Sequence, residues 1–330
     1  MDTMSKRERL EATVRGEEVD RVPVALWRHW PGDDQRAADL ARAHVAFQAQ
    51  YDFDLVKVTP CSGYSVEDWG VETRYEGNTE GTRVYTRRRV HRPGDWEGLE
   101  VLDPGRGALA RQLECLRMLH DGLDPGTPFI QTIFNPLSVA KYLAGDETLL
   151  VHLRRHPDAL HAGLRTITAS TVAFVREVMR RGAAGLFLAV QHAQYGLLSE
   201  GEYAEFGEPY DLEVLEAAEG AWFNLLHLHG EEVMFARLAR YPVQAVNWHD
   251  RETPPTLSVA RERFRGALCG GLRQWETMVR GTPEDVRREA ADAIRETHGR
   301  GFILGTGCVT PIVAPTANIR AAREAVERAG

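Results

Sequence analysis

Short apolar runs recur along this chain, each bounded by turn residues and followed by a segment with helical spacing. The runs are VPVALW (residues 22–27), FDLVKVT (53–59), FIQTIF (129–134), GLFLAV (185–190), WFNLLHL (222–228), QAVNW (244–248), ALCG (267–270) and FIL (302–304). Four to eight residues suit a buried strand, and the near-continuous apolarity is that of strands covered on both faces. Helical spacing fills the intervals at 33–51, 108–123, 138–181, 202–219 (interrupted near Pro209), 231–240, 258–264, 283–298 and 316–327, after an opening helix over 4–15. Eight strand–helix units in one chain predict a single (β/α)8 TIM barrel over residues 1–330, of the α/β class. An open doubly wound sheet is the competing arrangement, but it calls for a glycine-rich phosphate loop after an early strand, and no GxGxxG stands there.

One stretch breaks the rhythm. Residues 61–105, after the second strand, hold RYEGNTEGTRVYTRRRVH, which reads as a hairpin with Gly77 and Gly81 bracketing its turn. A long insertion at that point builds a wall or lid for a site. The expectation is a hairpin folded over the barrel mouth, with Tyr64, Glu67, Asp68 and Trp69 near the substrate.

Barrel chemistry gathers where strands end. Those positions supply Arg28 and His29, Lys57 and Thr59, Asn135, Gln191, His192 and Gln194, His227 and His229, Asn247, His249 and Asp250, and Cys308. His227 and His229 are two apart, so on a strand both imidazoles face one way. With Cys308, delivered behind the glycines of GFILGTGCV, they make a His, His, Cys set with one tetrahedral position open, which suits zinc. The competing reading makes both histidines core residues bonded to backbone. Late strand ends carry four of the histidines, whereas His156 and His298 fall on helix surfaces, and that clustering favours a site.

Composition narrows the classes. The chain has 330 residues, 43% hydrophobic and 27% charged, with a formal net charge of −8. It can bury a large core, and its arginines are dispersed among carboxylates, with no basic block for nucleic acid. No apolar run approaches the ~20 residues of a membrane span. Four separated cysteines without a CxxC suit a reducing cytoplasm.

Three segments resemble the uroporphyrinogen decarboxylase superfamily. The opening RLEATVRGEEVDRVPVALWR is similar to that family's first helix, turn and strand, with Arg28 in the place of its arginine. Asn135-Pro-Leu-Ser-Val-Ala-Lys-Tyr142 resembles a family stretch ending in tyrosine, and TGCVTPIVAPTANIRAAREAVERA resembles its closing segment. Where the decarboxylase carries an RQAGR loop and an aspartate after its second strand, this chain has Arg28-His-Trp-Pro-Gly32 and Val56-Lys-Val-Thr-Pro60. Porphyrin decarboxylation is therefore not expected. The methylcobalamin:coenzyme M methyltransferase branch is the better match, with His-x-Cys-Gly and Gly-Cys-Gly at the corresponding strand ends. Here those motifs read His227-Leu-His229-Gly230 and Gly307-Cys308-Val309, a histidine standing in for one zinc-binding cysteine.

The resemblance implies a zinc-dependent methyltransferase acting between a small substrate or a corrinoid and a thiol acceptor, with His227, His229 and Cys308 as metal ligands. It gives Tyr142, His192, His249 and Asp250 to catalysis or to support of the metal. Arg28, His29, Lys57, Tyr64, Asn135, Gln191, Gln194 and Asn247 are expected to bind substrate. A corrinoid would come free or on a partner protein, because no Asp-x-His-x-x-Gly motif is present, and a homodimer is compatible with the family. Two alternatives stand beside this reading: a zinc lyase, hydrolase or decarboxylase-like enzyme on a small carboxylic acid, and a non-catalytic corrinoid- or ligand-binding barrel.

Overall fold

The computed structural model describes residues 3–327. Its strands are β1 (Val56–Val58), β2 (Glu72–Tyr75), β3 (Arg83–Arg87), β4 (Phe129–Phe134), β5 (Gly185–Val190), β6 (Leu225–Leu228), β7 (Ala245–Trp248), β8 (Ala267–Leu272) and β9 (Phe302–Thr306). Its helices are α1 (Lys6–Val14), α2 (Ala37–Tyr51), α3 (Gly107–Gly122), α4 (Pro136–Ala144), α5 (Asp146–Arg155), α6 (Pro157–Arg180), α7 (Glu200–Phe206), α8 (Glu208–Glu216), α9 (Phe235–Leu238), α10 (Leu257–Arg263), α11 (Pro283–Glu296) and α12 (Thr316–Ala325).

Among the described residues, β1 and β4 to β9 form a curled parallel sheet in sequence order. The stretch at 22–27, expected as a full strand, pairs only as a parallel bridge between Val24 and Leu304. Pro23 has no N–H to give, so its carbonyl accepts from Leu304 N (2.9 Å), while Ala25 N donates to Leu304 O (2.9 Å). On the other side Asp54 N donates to Val24 O (2.9 Å). The bridge thus joins the two edges of the sheet, the closure expected of a TIM-like barrel. Every residue of β4, β5, β8 and β9 is buried, as covered parallel strands require.

Caps and breakers set the helix limits. Ser5 with Glu8, Ser199 with Glu202 and Thr282 with Asp285 form capping boxes at the starts of α1, α7 and α11. The single segment expected over 138–181 is three helices, divided at Gly145 (φ 89°) and restarted at Pro157. The helix expected over 231–240 shrinks to α9. Glu232 is left-handed (φ 46°) and Val233 bridges to Gln194, so the residues after β6 are spent on loop contacts.

Between β1 and α3, strands β2 and β3 pair antiparallel. Gly77 and Gly81 both have positive φ, and Asn78 Oδ1 accepts from Gly81 N (2.8 Å) and Thr82 N (3.0 Å). At Gly81 an added Cβ would lie 2.8 Å from His29 Cβ and 2.9 Å from Ile312 Cγ2, so only glycine lets the turn seat against the barrel there. Ile312 N also donates to Thr79 O (3.0 Å).

Candidate active site at the strand ends

A cavity of about 250 Å³ opens at the C-terminal ends of the strands. Its wall follows the two-residue period of the strands: Trp27 and His29, Lys57 and Thr59, Thr132 and Phe134, Phe187, Ala189 and Gln191, then His227 and His229. Cys308 completes the wall after β9, and the β2–β3 hairpin contributes Glu80, Gly81, Thr82, Arg83 and Tyr85. A larger open groove of about 1090 Å³ on the outer helices, lined by Arg176, Arg180, Glu213, Glu216 and Glu219, holds none of these groups.

His227, His229 and Cys308 bring one donor atom each within 4.8 Å of one another, and Cys308 Sγ stands 3.8 Å from His229 Nδ1. A tetrahedral zinc with bonds of about 2.0–2.3 Å needs donors roughly 3.3–3.8 Å apart, so a modest contraction completes the set. The orientation of His227 follows from its neighbour in register on β7. Asn247 Nδ2 donates to Cys269 O (2.9 Å) and Thr306 O (3.0 Å), which commits its Oδ1 to accepting. His227 Nδ1 lies 2.7 Å from that oxygen and must carry the proton. Nε2 is then a bare lone pair, buried and without a partner. An orphaned imidazole nitrogen beside a second imidazole and a thiol is a donor set that fits a metal.

The backbone behind Cys308 explains its placement. A Cβ on Gly307 would sit 2.7 Å from His249 Cα, so glycine there lets the end of β9 press against the end of β7. Burial holds His227 well below the usual imidazole range and His229 at about 4, and it pushes the Cys308 thiol up to about 11. Both histidines are therefore neutral at pH 7, as ligands must be, and the thiol is protonated.

The remaining expected residues divide by strand phase. Lys57 is buried inside the cavity, its Nζ 4.4 Å from the centre of the Phe187 ring and 3.3 Å from Thr59 Oγ1. Burial lowers its ammonium to about 7. His29 also faces the cavity, pushed by burial to about 3. The Tyr142 hydroxyl donates to Gln191 Oε1 (3.0 Å), which Lys141 Nζ also contacts, and the ring stacks on Tyr85 at 5.0 Å.

Several placements need correction, because these residues stand outside the cavity wall. Arg28 points the other way and lies over Trp30 (5.0 Å), since the residue between Trp27 and His29 must face outward. Asn135 caps α4 and donates to Asp211 (2.8 Å). Gln194 ties its loop to Gln191 O (2.7 Å) and Glu231 N (3.1 Å). Asn247 orients His227 rather than reaching substrate. Asp250 accepts from Gly271 N (3.1 Å) at the end of β8, where burial raises its carboxyl to about 7.

His192 is buried behind the wall with Nδ1 unpartnered, and burial lowers it to about 3. His249 lies behind the cluster, its ring 5.5 Å from that of His229, with Nδ1 3.4 Å from Glu252 and Nε2 unpartnered. Tyr64 donates to Thr132 O (2.7 Å) and packs on Phe174. Glu67 pairs with Arg111, Asp68 accepts from Ala108 N at the start of α3, and Trp69 donates to Glu100 O. These last three hold the insertion to the barrel flank. The hairpin residues that do face the cavity, Arg83 and Tyr85, are two apart on β3, so strand alternation within the insertion was the signal for them.

The chain matches the family described as uroporphyrinogen decarboxylase (URO-D) over residues 5–329, and it belongs to that family. Within it, the sequence is 22% identical to the methylcobamide:CoM methyltransferase MtbA of Methanosarcina acetivorans and 20% identical to MtaA of Methanosarcina barkeri, each alignment covering 97% of both chains. A methyltransferase from Methanosarcina mazei superposes with a TM-score of 0.85 at 20% identity, over 98% of each chain. A B12-independent methionine synthase from Shewanella shares the fold more distantly, with a TM-score of 0.57 at 14% identity over 92% of each chain.

Proposed function

We propose that this protein is a zinc-dependent methyltransferase that moves a methyl group between a small donor or a corrinoid and a thiol acceptor. The observation that carries the reading is the His227 Nε2 lone pair, buried, unpartnered and fixed in direction by Asn247, converging with His229 and Cys308 on one cavity. Similarity along the whole chain to methylcobamide:CoM methyltransferases supports the reaction class.

Zinc held by His227, His229 and Cys308 would favour the thiolate form of an acceptor at neutral pH. The chain's own groups do the rest. Asn247 keeps the His227 tautomer correct. Trp27, Phe134, Phe187, Tyr85 and Tyr142 exclude water around the reacting sulfur, which preserves its nucleophilicity. In the transfer, a sulfur–carbon bond forms as the bond to the donor breaks, and the donor keeps the electron pair. The β2–β3 hairpin serves as a lid over the mouth, supported by the Gly81 seat on His29 and by Arg83 beside Asp34 (3.7 Å). A corrinoid arrives at the mouth free or on a partner protein. No helix among the described residues is long and apolar enough to cross a membrane, and a cytoplasmic enzyme, dimeric or not, accords with this reading.

The test is demethylation of methylcobalamin by zinc-loaded protein, followed by its visible spectrum with and without small thiols. Thiol-dependent loss of the methyl–cobalt band supports the reading. Loss of that band without thiol, or none with any thiol while zinc is bound, overturns it.

A further inference from the structure

Lysine is rare in this chain: Lys6, Lys57 and Lys141 are the only three among 40 basic residues. Arginine is the default cation, and the cavity wall holds one, Arg83, which meets the Asp34 carboxylate at 3.7 Å, yet the more deeply buried cation of that wall is a lysine. Among the described residues the buried cations are Arg9, Arg21, Arg323 and Lys57. The three arginines each meet carboxylates, Arg9 at Asp20 and Asp54, Arg21 at Asp54, and Arg323 at Asp52 and Glu327. Lys57 meets none. Its polar contact is a 3.3 Å hydrogen bond to Thr59 Oγ1, and its other neighbours are the Phe187 ring at 4.4 Å and the Trp27 ring at 5.9 Å. Glu80, the carboxylate on the same cavity wall, makes no ion pair with it.

A buried ammonium without a counter-ion costs several kcal/mol in effective desolvation, and aromatic faces return about 2 kcal/mol or less each. At 5% exposed in a cavity wall, Lys57 relieves part of that cost by losing its proton, its ammonium being lowered by burial to about 7, and an anion bound beside it would restore the charged form. Phe187 fixes where the anion sits relative to the chemistry. Its ring carries Lys57 Nζ at 4.4 Å and stacks on His227 at 5.2 Å, so the cation and the proposed metal ligand share one aromatic spacer.

We propose that Lys57 is the specificity-determining residue of this site, selecting a short substrate by one carboxylate or sulfonate seated on the Lys57 side chain, with its reacting end at the His227–His229–Cys308 cluster. The proposal rests on the metal-site reading for the position of the reacting end, but not for the anion contact itself. It adds that the site disfavours a cationic group at this position, because the faces of Phe187 and Trp27 already hold Lys57 and a second cation there would meet its charge.

Calorimetry on zinc-loaded protein tests it with three probes of similar size: 3-mercaptopropionate, its neutral amide, and cysteamine. Zinc content is measured on the same samples. Wild type is expected to bind the carboxylate at least about tenfold more tightly than the amide and to bind cysteamine weakest, a tenfold ratio being about 1.4 kcal/mol. Lys57→Met should erase the preference for the carboxylate and leave amide affinity unchanged, which shows that the cavity has kept its shape. Lys57→Arg, which retains the charge, should keep carboxylate above amide.

Equal binding of the three probes by zinc-containing wild type overturns the charge-selection proposal and leaves the metal reading standing. Protein that takes up no zinc yet still prefers 3-mercaptopropionate to its amide overturns the metal reading and leaves Lys57 its role. A carboxylate preference that survives in Lys57→Met assigns the selection elsewhere and also overturns the proposal.

Discussion

The two ends of this barrel treat buried charge in opposite ways. Below the strands, Asp54 is fully buried and accepts from Arg9 (2.6 Å), Arg21 (2.7 Å) and the backbone of Val24 (2.8 Å), while Arg9 reaches Asp20 as well. Above them, Lys57 lacks a carboxylate, and His192, His227 and His249 each keep a buried nitrogen without a partner. Both ends are buried, so solvent does not explain the contrast. A closed ion network locks the closing bridge at Val24 in place. Unsatisfied groups at the other end are tolerable only if something else completes them. Stability at the N-terminal face and function at the C-terminal face is the division expected of a barrel, and the Asp54 ion network at one end and the unpartnered histidine nitrogens at the other follow it.

The contrast breaks most visibly at Asp54. Asp54→Ala leaves Arg9 and Arg21 without their shared buried carboxylate, and a loss of about 3–5 kcal/mol in unfolding free energy is expected. Zinc uptake by the fraction that remains folded should be unchanged. Urea denaturation paired with metal analysis checks both, and a variant as stable as wild type would contradict the assignment of the lower end.

At the upper end the pattern reverses. Cys308→Ser should lose most of its zinc and its methyl transfer while its stability stays within about 1 kcal/mol of wild type. Full zinc with full activity would take the thiolate out of the account. Asn247→Ala should weaken zinc binding by about 10–100-fold, the usual cost of removing a partner that orients a ligand. Competition with a chromophoric chelator reads it, and unchanged affinity would mean that the tautomer of His227 is set by something else.

A smaller effect concerns protons. The Cys308 thiol is pushed up to about 11, while burial holds both histidines neutral at pH 7. Binding must therefore expel one proton, from Cys308. Ligands bind metal deprotonated, so rising pH favours the complex, and apparent zinc affinity should climb about tenfold per pH unit between pH 7 and 9. A flat profile would show that the thiol is already ionised or uninvolved.

How far the sequence discloses this division depends on phase. The strand–helix alternation was legible over most of the chain, because covered parallel strands are apolar runs of distinctive length, though the run at 22–27 pairs only through the Val24 bridge and the helix expected over 231–240 is reduced to α9. His227, His229, Lys57 and His29 were legible as wall residues because each stands at a strand end in the inward register. Arg28, Asn135 and His192 each stand one position out of that register, beside Trp27, Phe134 and Gln191, which face the cavity. A one-residue error in phase exchanges a wall residue for one facing the helices. The role of Asn247 depends on the lateral pairing of β6 with β7, which no single-strand pattern carries. The alternation that puts Arg83 and Tyr85 on one face of β3 was readable, but which face docks on the cavity is set by the Gly81 contact with His29, a long-range fit.

The central claim is that three side chains at the upper end, His227, His229 and Cys308, hold one metal ion. Its most direct test is zinc K-edge X-ray absorption on protein purified without chelator and loaded with one equivalent of zinc. The account predicts about one tightly held zinc per chain, with nitrogen scattering at about 2.0–2.1 Å and one sulfur at about 2.3 Å. The sulfur should vanish in Cys308→Ser. Protein that takes up no zinc, or a zinc shell without sulfur in the wild type, would contradict the claim and return His227 and His229 to a packing role.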